Sequence, residues 1–392
     1  MSSEAQTHYL NAGFDLGLRP RAPRGGLSRL DLRVRELSVQ GFLGATPGDA
    51  VLVLTEVPDE FLQHLDDCGV PVGRVLRSPE VDRSTRFRPF GWSDEAVELN
   101  ALHDRPEDHP QPSVIRRVNS RSFAVELERE LFPESAAAAV VEDVAALESI
   151  LDRTSPTGEW VVKGEFGNAG LANRRLRAPR LSDADRRFVE TQLTESGRVV
   201  VERWLQREED WSVVFDVPFD PTAVRVHETT YTRDGALIGA LLEGGEGQDF
   251  ACFEELAVAA ERVAKRLEAE GYFGPVCMDA FRWRDRGATG LRPLVDLNCR
   301  RSMSDGAYRL RQRIAPDRTF YYRFFNPRKI ALPRELTAML DALGDRRYAR
   351  SKRRGILLAS PPDHTKVAVI FVAESRREVL ELESELRARF EG

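Results

Sequence analysis

Two short apolar runs in this chain each carry an aspartate where a buried strand ordinarily carries an aliphatic residue. They are GPVCMDAFRW (274–283) and RPLVDLNCRRS (292–302), joined by a charged, glycine-containing turn. Period-two alternation puts Cys277, Asp279 and Phe281 on one face of the first strand, and Leu294, Asp296 and Asn298 on one face of the second. If the strands pair antiparallel, the two aspartates meet across the ladder and Asn298 lies one pleat further on. Like charges so placed are costly to bury without a cation, so the arrangement makes sense chiefly if a metal is present. Two carboxylates and an amide oxygen, with no sulfur or imidazole, suit Mg²⁺, which takes its remaining ligands from waters and nucleotide phosphates. Arg300, two residues beyond Asn298, falls on the same side and could clamp a transferring phosphoryl group. The same set also reads as a polar strand end paired with nearby arginines.

A second set of residues lies upstream. Only five of the 57 basic residues are lysines, and Lys163 stands at the end of an apolar strand, EWVVK. The glycine-rich stretch GEFGNAG follows it, and Gly164, Gly167 and Gly170 would let backbone amides approach a polyphosphate held by the lysine ammonium. The order is not that of a Walker A loop, whose lysine follows the glycines and precedes Ser or Thr. An ordinary glycine-rich hairpin with an exposed lysine is the competing reading. The next strand, RVVVE, ends in Glu202, which could accept from a ribose hydroxyl or an adenine amino group, or could be a solvated strand terminus.

The rest of the chain places these pieces. Residues 1–110 read as a small α/β unit, with AVLVLT (50–55) as its best strand and a helix opening at Pro58. The proline-broken segment HDRPEDHPQP marks its end. Residues 111–215 carry the lysine strand and glycine loop, 216–345 carry the aspartate strands, and 346–392 form a strand and helix extension separate in character. Within the second part, SVIRRV (113–118) is expected as a strand, a helix follows Ser120, and a second helix is expected from Glu134 to about Leu151. LSDADRRFVETQL is expected as a helix capped by Ser182 and Asp185. Strands interspersed with helices make the class α+β.

Composition narrows the function. The longest apolar stretch without glycine is Val367–Ala373, too short to cross a bilayer. The first residues carry neither a basic segment nor an apolar one, so a secretory signal is not expected and a cytoplasmic location is. A net charge of −6 argues against a general nucleic-acid surface. Cys68, Cys252, Cys277 and Cys299 match no zinc spacing and read as core residues. The aromatic run RTFYYRFFNP reads as core, or as packing that a second copy of the chain could cover.

The order of lysine strand, glycine loop, glutamate strand and paired metal strands resembles the ATP-grasp superfamily over roughly residues 113–315. The resemblance implies two α+β subdomains enclosing ATP, preceded by the small α/β domain. It implies Lys163 on the α/β phosphates, Gly164 to Gly170 as the loop over them, Glu202 at the nucleoside, and Asp279, Asp296 and Asn298 on Mg²⁺. Arg300 would lie near the γ-phosphate. The sequence departs from the usual pattern in having Asp296 where glutamate is commoner, and in lacking a lysine upstream of the lysine strand; Arg116, Arg117 or Arg121 stands in that region. The implied activity is ATP-dependent ligation of a small-molecule or peptide carboxylate to an amine. A small-molecule kinase on the same fold and a non-catalytic nucleotide-binding scaffold are the alternatives. Arg301, Ser302, Ser304 and Arg309 are candidates for an acceptor pocket, or for an exposed loop.

Overall fold

The amino-terminal part of the computed structural model is a parallel sheet of β1 (Gln6–Tyr9), β2 (Ala50–Val53), β3 (Arg74–Arg77) and β4 (Arg86–Pro89), in the order β3-β2-β1-β4. The structure describes residues 4–19, 29–78, 80–152, 158–167, 172–177, 180–232, 237–243, 253–285 and 287–391. Strand order reverses between β1 and β4, so their carboxyl ends open a crevice of the kind that takes ligands in α/β sheets. Asn11 ties the two ends together: its side chain donates to the Gly91 carbonyl at 2.8 Å and accepts from the Gly91 amide at 3.1 Å. A β-carbon at Gly91 would lie 2.6 Å from the Phe14 ring, so only glycine lets the Phe14–Gly17 turn of helix settle there. That turn carries Asp15.

Two expectations fail in the connecting segment. SVIRRV belongs to a helix, Pro112–Val118, because Pro112 fits its first turn and Ile115 and Val118 bury along one side. The expected helix from Glu134 begins only at Val144, capped by Asp143, and Ala138–Val141 is instead the strand β5. The helix Arg121–Leu131, with Ser120 as its cap, forms where expected.

The second sheet has the order β5-β8-β6-β7, with β6 Trp160–Gly164, β7 Asn173–Leu176 and β8 Val199–Arg203, all antiparallel. Trp160, Val162 and Val201 bury one face beneath the Asp183–Ser196 helix, whose Ser182–Asp185 capping box is present. Alternation turns Lys163 and Glu202 to the other face.

The third sheet has eight antiparallel strands: β9 (Arg207–Val217), β10 (Arg225–Tyr231), β11 (Leu237–Leu242), β12 (Gly274–Asp285), β13 (Ala288–Asn298), β14 (Thr319–Phe325), β15 (Gly355–Leu358) and β16 (Val367–Ala373). Their order is β13-β12-β9-β10-β11-β14-β16-β15. The helix Phe253–Ala269 covers one face of β9, β12 and β13 through Leu256, Ala260, Val263 and Leu267. The tail, read in the sequence as separate in character, supplies β15 and β16 to this sheet. It packs in one core with Val39, Phe42, Val51 and Phe61 of the first domain. Its charge run, residues 351–354, is a turn leading into β15. Cys68, Cys277 and Cys299 are buried thiols, and Cys252 lies outside the described residues. Among the described residues, no helix is long and apolar enough to cross a membrane.

Candidate functional site

β12 and β13 pair in the register that sets Asp279 directly opposite Asp296, and Cys277 opposite Asn298. Cross-strand partners in an antiparallel ladder project to one face, so two carboxylates and an amide converge. A register shift follows Asp279, because β13 spends more residues than β12 between this pair and Phe281–Arg292. The bulge corrects one expectation: Leu294 packs in the apolar core with Met278 and Leu297, not on the face of Asp296.

Ser212 on β9 lies opposite Asp279 and donates its hydroxyl to Oδ1 at 2.9 Å. Burial and the facing Asp296 charge push the Asp279 carboxyl up to about 7, far above its ordinary 3.8. Among the described residues, no three His, Cys, Asp or Glu side chains converge on a point. A divalent cation that prefers oxygen would remove the cost of opposing these two charges, so the residues fit Mg²⁺.

Arg300 is held from the first domain. Its guanidinium meets both oxygens of Asp15, at 3.1 Å and 3.0 Å, and Nη2 also donates to Asn298 Oδ1 at 2.9 Å. The Phe90 ring lies beneath it, 4.6 Å from the guanidinium carbon. Sequence reasoning missed Asp15, since nothing in NAGFDLG marks one acid among 63.

Lys163 and Glu202 lie on the inner face of the second sheet, and they are paired with each other. Lys163 Nζ is 2.6 Å from Glu202 Oε1, and Glu202 Oε2 is 2.8 Å from Arg292 Nη1 on β13. Arg292 then makes a bidentate bond to Glu128 of the Arg121–Leu131 helix, at 2.5 Å and 2.9 Å. All four groups are at most 5% exposed. Burial works to raise the Glu202 carboxyl, but Arg292 and Lys163 hold it at about 2. Burial outweighs Arg292 at Glu128 and raises that carboxyl. This balanced chain of two cations and two anions pins the second sheet to the third. Arg292 and Glu128 were not singled out in the sequence.

Arg121 closes the distance between the two halves. Its Nη1 donates to the Gly164 carbonyl at 2.7 Å, and Nη2 lies 3.5 Å from Asp296 Oδ2. The backbone amide of Arg121 donates to the Glu165 carbonyl at 3.1 Å, fixing the first residues of the glycine loop. A β-carbon at Gly167 would sit 2.7 Å from the Arg121 guanidinium, and one at Gly164 only 2.0 Å from Gln192 Oε1, so a larger residue at either position would displace the end of that side chain. Gly170 lies outside the described residues. Of the three upstream arginines, Arg116 turns to the Leu18 carbonyl and Arg117 to Glu270. Of the three, Arg121 is the one that reaches the aspartate pair, at Asp296.

No family model matches the chain, and no curated protein matches it in sequence. Solved structures do. An N5-carboxyaminoimidazole synthetase from Staphylococcus aureus complexed with ADP is 12% identical at a TM-score of 0.53, covering 98% of this chain and 97% of that one. A carboxyaminoimidazole ribonucleotide synthase from Aspergillus clavatus complexed with ATP is 14% identical at 0.53, covering 99% of each. The biotin carboxylase domain of a Hydrogenobacter thermophilus 2-oxoglutarate carboxylase, bound to MgADP and bicarbonate, is 11% identical at 0.51, covering 98% of this chain and 90% of that one. The chain has the ATP-grasp fold.

Proposed function

We propose that the chain is an ATP-dependent ligase that activates a carboxylate as an acyl phosphate and couples it to an amine, releasing ADP and phosphate. The observation that carries this reading is the direct opposition of Asp279 and Asp296, joined through Arg121 to the backbone at the end of the lysine strand. ADP, ATP and MgADP in the fold relatives support a nucleotide in the same cleft.

In this reading Asp279, Asp296 and Asn298 hold Mg²⁺, which when bound neutralises charge on the nucleotide phosphates. Lys163 has three donors and spends one on Glu202, leaving two for phosphate oxygens. The glycine loop that follows Lys163 would bring backbone amides to the phosphates, and Arg121 adds a fixed positive charge beside them. Glu202 is engaged on both oxygens, so its side chain orients Lys163. Arg300, oriented by Asp15, faces the transferring phosphoryl group.

A substrate carboxylate oxygen attacks the γ-phosphorus, the bond to ADP breaks, and an acyl phosphate results. The amine nitrogen then attacks the acyl carbon and loses a proton, and phosphate leaves. No protein nucleophile is required. Closure over the cleft would keep water from the acyl phosphate.

Incubation with ATP, Mg²⁺ and pools of carboxylates and amines is expected to release ADP and free phosphate only when both substrates are present. Phosphate retained on a product would make the chain a kinase. Changing Asp296 and Asn298 together to alanine should weaken ATP·Mg binding tenfold or more. Undiminished binding by that double variant would remove the proposed site.

A further inference from the structure

One residue beyond Arg300, the chain builds a second concentration of charge. Asp305, in the first turn of the Asp305–Ile314 helix, is buried and has four guanidiniums within 4.0 Å. Arg225 approaches it from one side at 3.1 Å. Arg309 at 3.0 Å, Arg88 at 3.5 Å and Arg301 at 4.0 Å approach from the other and line a cavity of about 40 Å³. This cavity lies between the first domain and the Asp305–Ile314 helix, with Phe90 in its wall. Phe90 is the ring beneath Arg300, so the cavity adjoins the candidate reaction centre.

The charges do not balance. Among the described residues the four cations share one ion-pair partner, Asp305; Asp216 acts on Arg301 from further off, and Asp49 is hydrogen-bonded to His8 at 3.1 Å and to the Thr46 amide and hydroxyl. Burial lowers the His8 pKa, so that ring adds no charge to offset. Among the described residues, the Arg88 side chain makes only long hydrogen bonds, to Gln6 and Asp305. Burial, and then repulsion from Arg301 and Arg309, pull its pKa down to about 9, an unusual value for a guanidinium. One or two arginines would satisfy Asp305 as a packing hub. Three of them around an open cavity leave a surplus that an anion would neutralise with charge-assisted bonds.

Resting on the ligase reading for its role, we infer that this cavity binds an anionic group of the substrate, a carboxylate or a phosphate monoester, and thereby selects which small molecule reaches the reaction centre. Arg301 and Arg309, weighed in the sequence as acceptor residues, line it, together with Arg88, which the sequence did not mark.

Binding can be measured without nucleotide, which separates this inference from the ligase reading. Inorganic phosphate and, separately, succinate are titrated into the full chain by calorimetry, with thermal midpoint as a second readout. At least one is expected to bind, and its affinity should fall tenfold or more in Arg88→Gln. Arg309→Gln, at a more exposed position, should give a fall in the same direction if Arg88→Gln does not fold. The ATP·Mg affinity of either variant should stay within about twofold, and saturating ADP·Mg should not displace the anion. Preference for phosphate or for succinate assigns the group. Binding of neither anion, equal binding by wild type and variants, or full displacement by ADP·Mg would overturn the inference. Anion binding without substrate-dependent ADP release would leave the cavity standing and remove the ligase.

Discussion

Arg292→Met should destabilise the chain by about 3–5 kcal/mol, the largest effect expected of any single substitution outside the apolar core. Arg292 is 2% exposed and is the only ion-pair partner of Glu128 among the described residues, as well as one of two on Glu202. Methionine keeps an unbranched chain as far as the position of Nε and removes the guanidinium charge. The change leaves Glu128 without an ion-pair partner among the described residues and leaves Glu202 to Lys163 alone. The penalty comes from uncompensated burial and not from the net worth of the pair, so a second change should recover much of it. Adding Glu128→Gln to Arg292→Met should restore at least half of the loss, read as midpoints in urea with unchanged slope. A single variant within about 1 kcal/mol of wild type would mean that water reaches the cluster. Because Glu202 also orients Lys163, the single variant should bind ATP·Mg more weakly even where it remains folded.

Much of this site could be read from residue order, for a physical reason. Alternation in a strand is a local property, so Asp279, Asp296 and Asn298 declare their common face without any knowledge of the rest of the chain. The pairing that makes them converge is also local, since only a short turn separates β12 from β13. The capping box at Ser182 and the helix after Ser120 follow from equally short-range signals.

What escaped depends on distant partners. Arg292 on β13 and Glu128 on a helix are 164 positions apart, and each looks ordinary alone. In a chain with 57 basic residues, an arginine before PLV does not stand out. Glu128 did leave one trace. It sits one residue after Leu127 and four after Ala124, on the stripe that Phe123 and Leu131 define, so helical periodicity places it inward. Its neighbours Glu126 and Glu130 face out to Arg117 and Arg266. Asp15 and Arg88 gave no such trace, because the first domain meets the third sheet only after folding. SVIRRV misled because its apolar spacing fits both periods, and only Pro112 favours a helix.

Asp279→Asn should act in opposite directions on stability and on chemistry. Asparagine keeps the shape and can still accept from Ser212, but it ends the opposition of two carboxylates across one rung. In metal-free buffer at pH 7 the variant should therefore be more stable than wild type by about 1–3 kcal/mol. The pH dependence has a definite sign. A carboxyl held at about 7 in the folded chain, against 3.8 when free, binds its proton more tightly folded than unfolded. Its penalty is absent below about pH 4 and grows as the pH rises to about 7, so the gap between variant and wild type should open across that window. Saturating Mg²⁺ with a nucleotide should close or reverse the gap, because wild type then gains a cation that the variant holds poorly. Turnover on whatever substrates support it should fall by at least about 10²-fold. The same change at Asp210, which stands on β9 with Arg207 as its partner, should show no such reversal with Mg²⁺. A variant at Asp279 that loses stability in the absence of metal would mean that the two carboxylates share a proton or a cation already, and that the site is not poised for Mg²⁺.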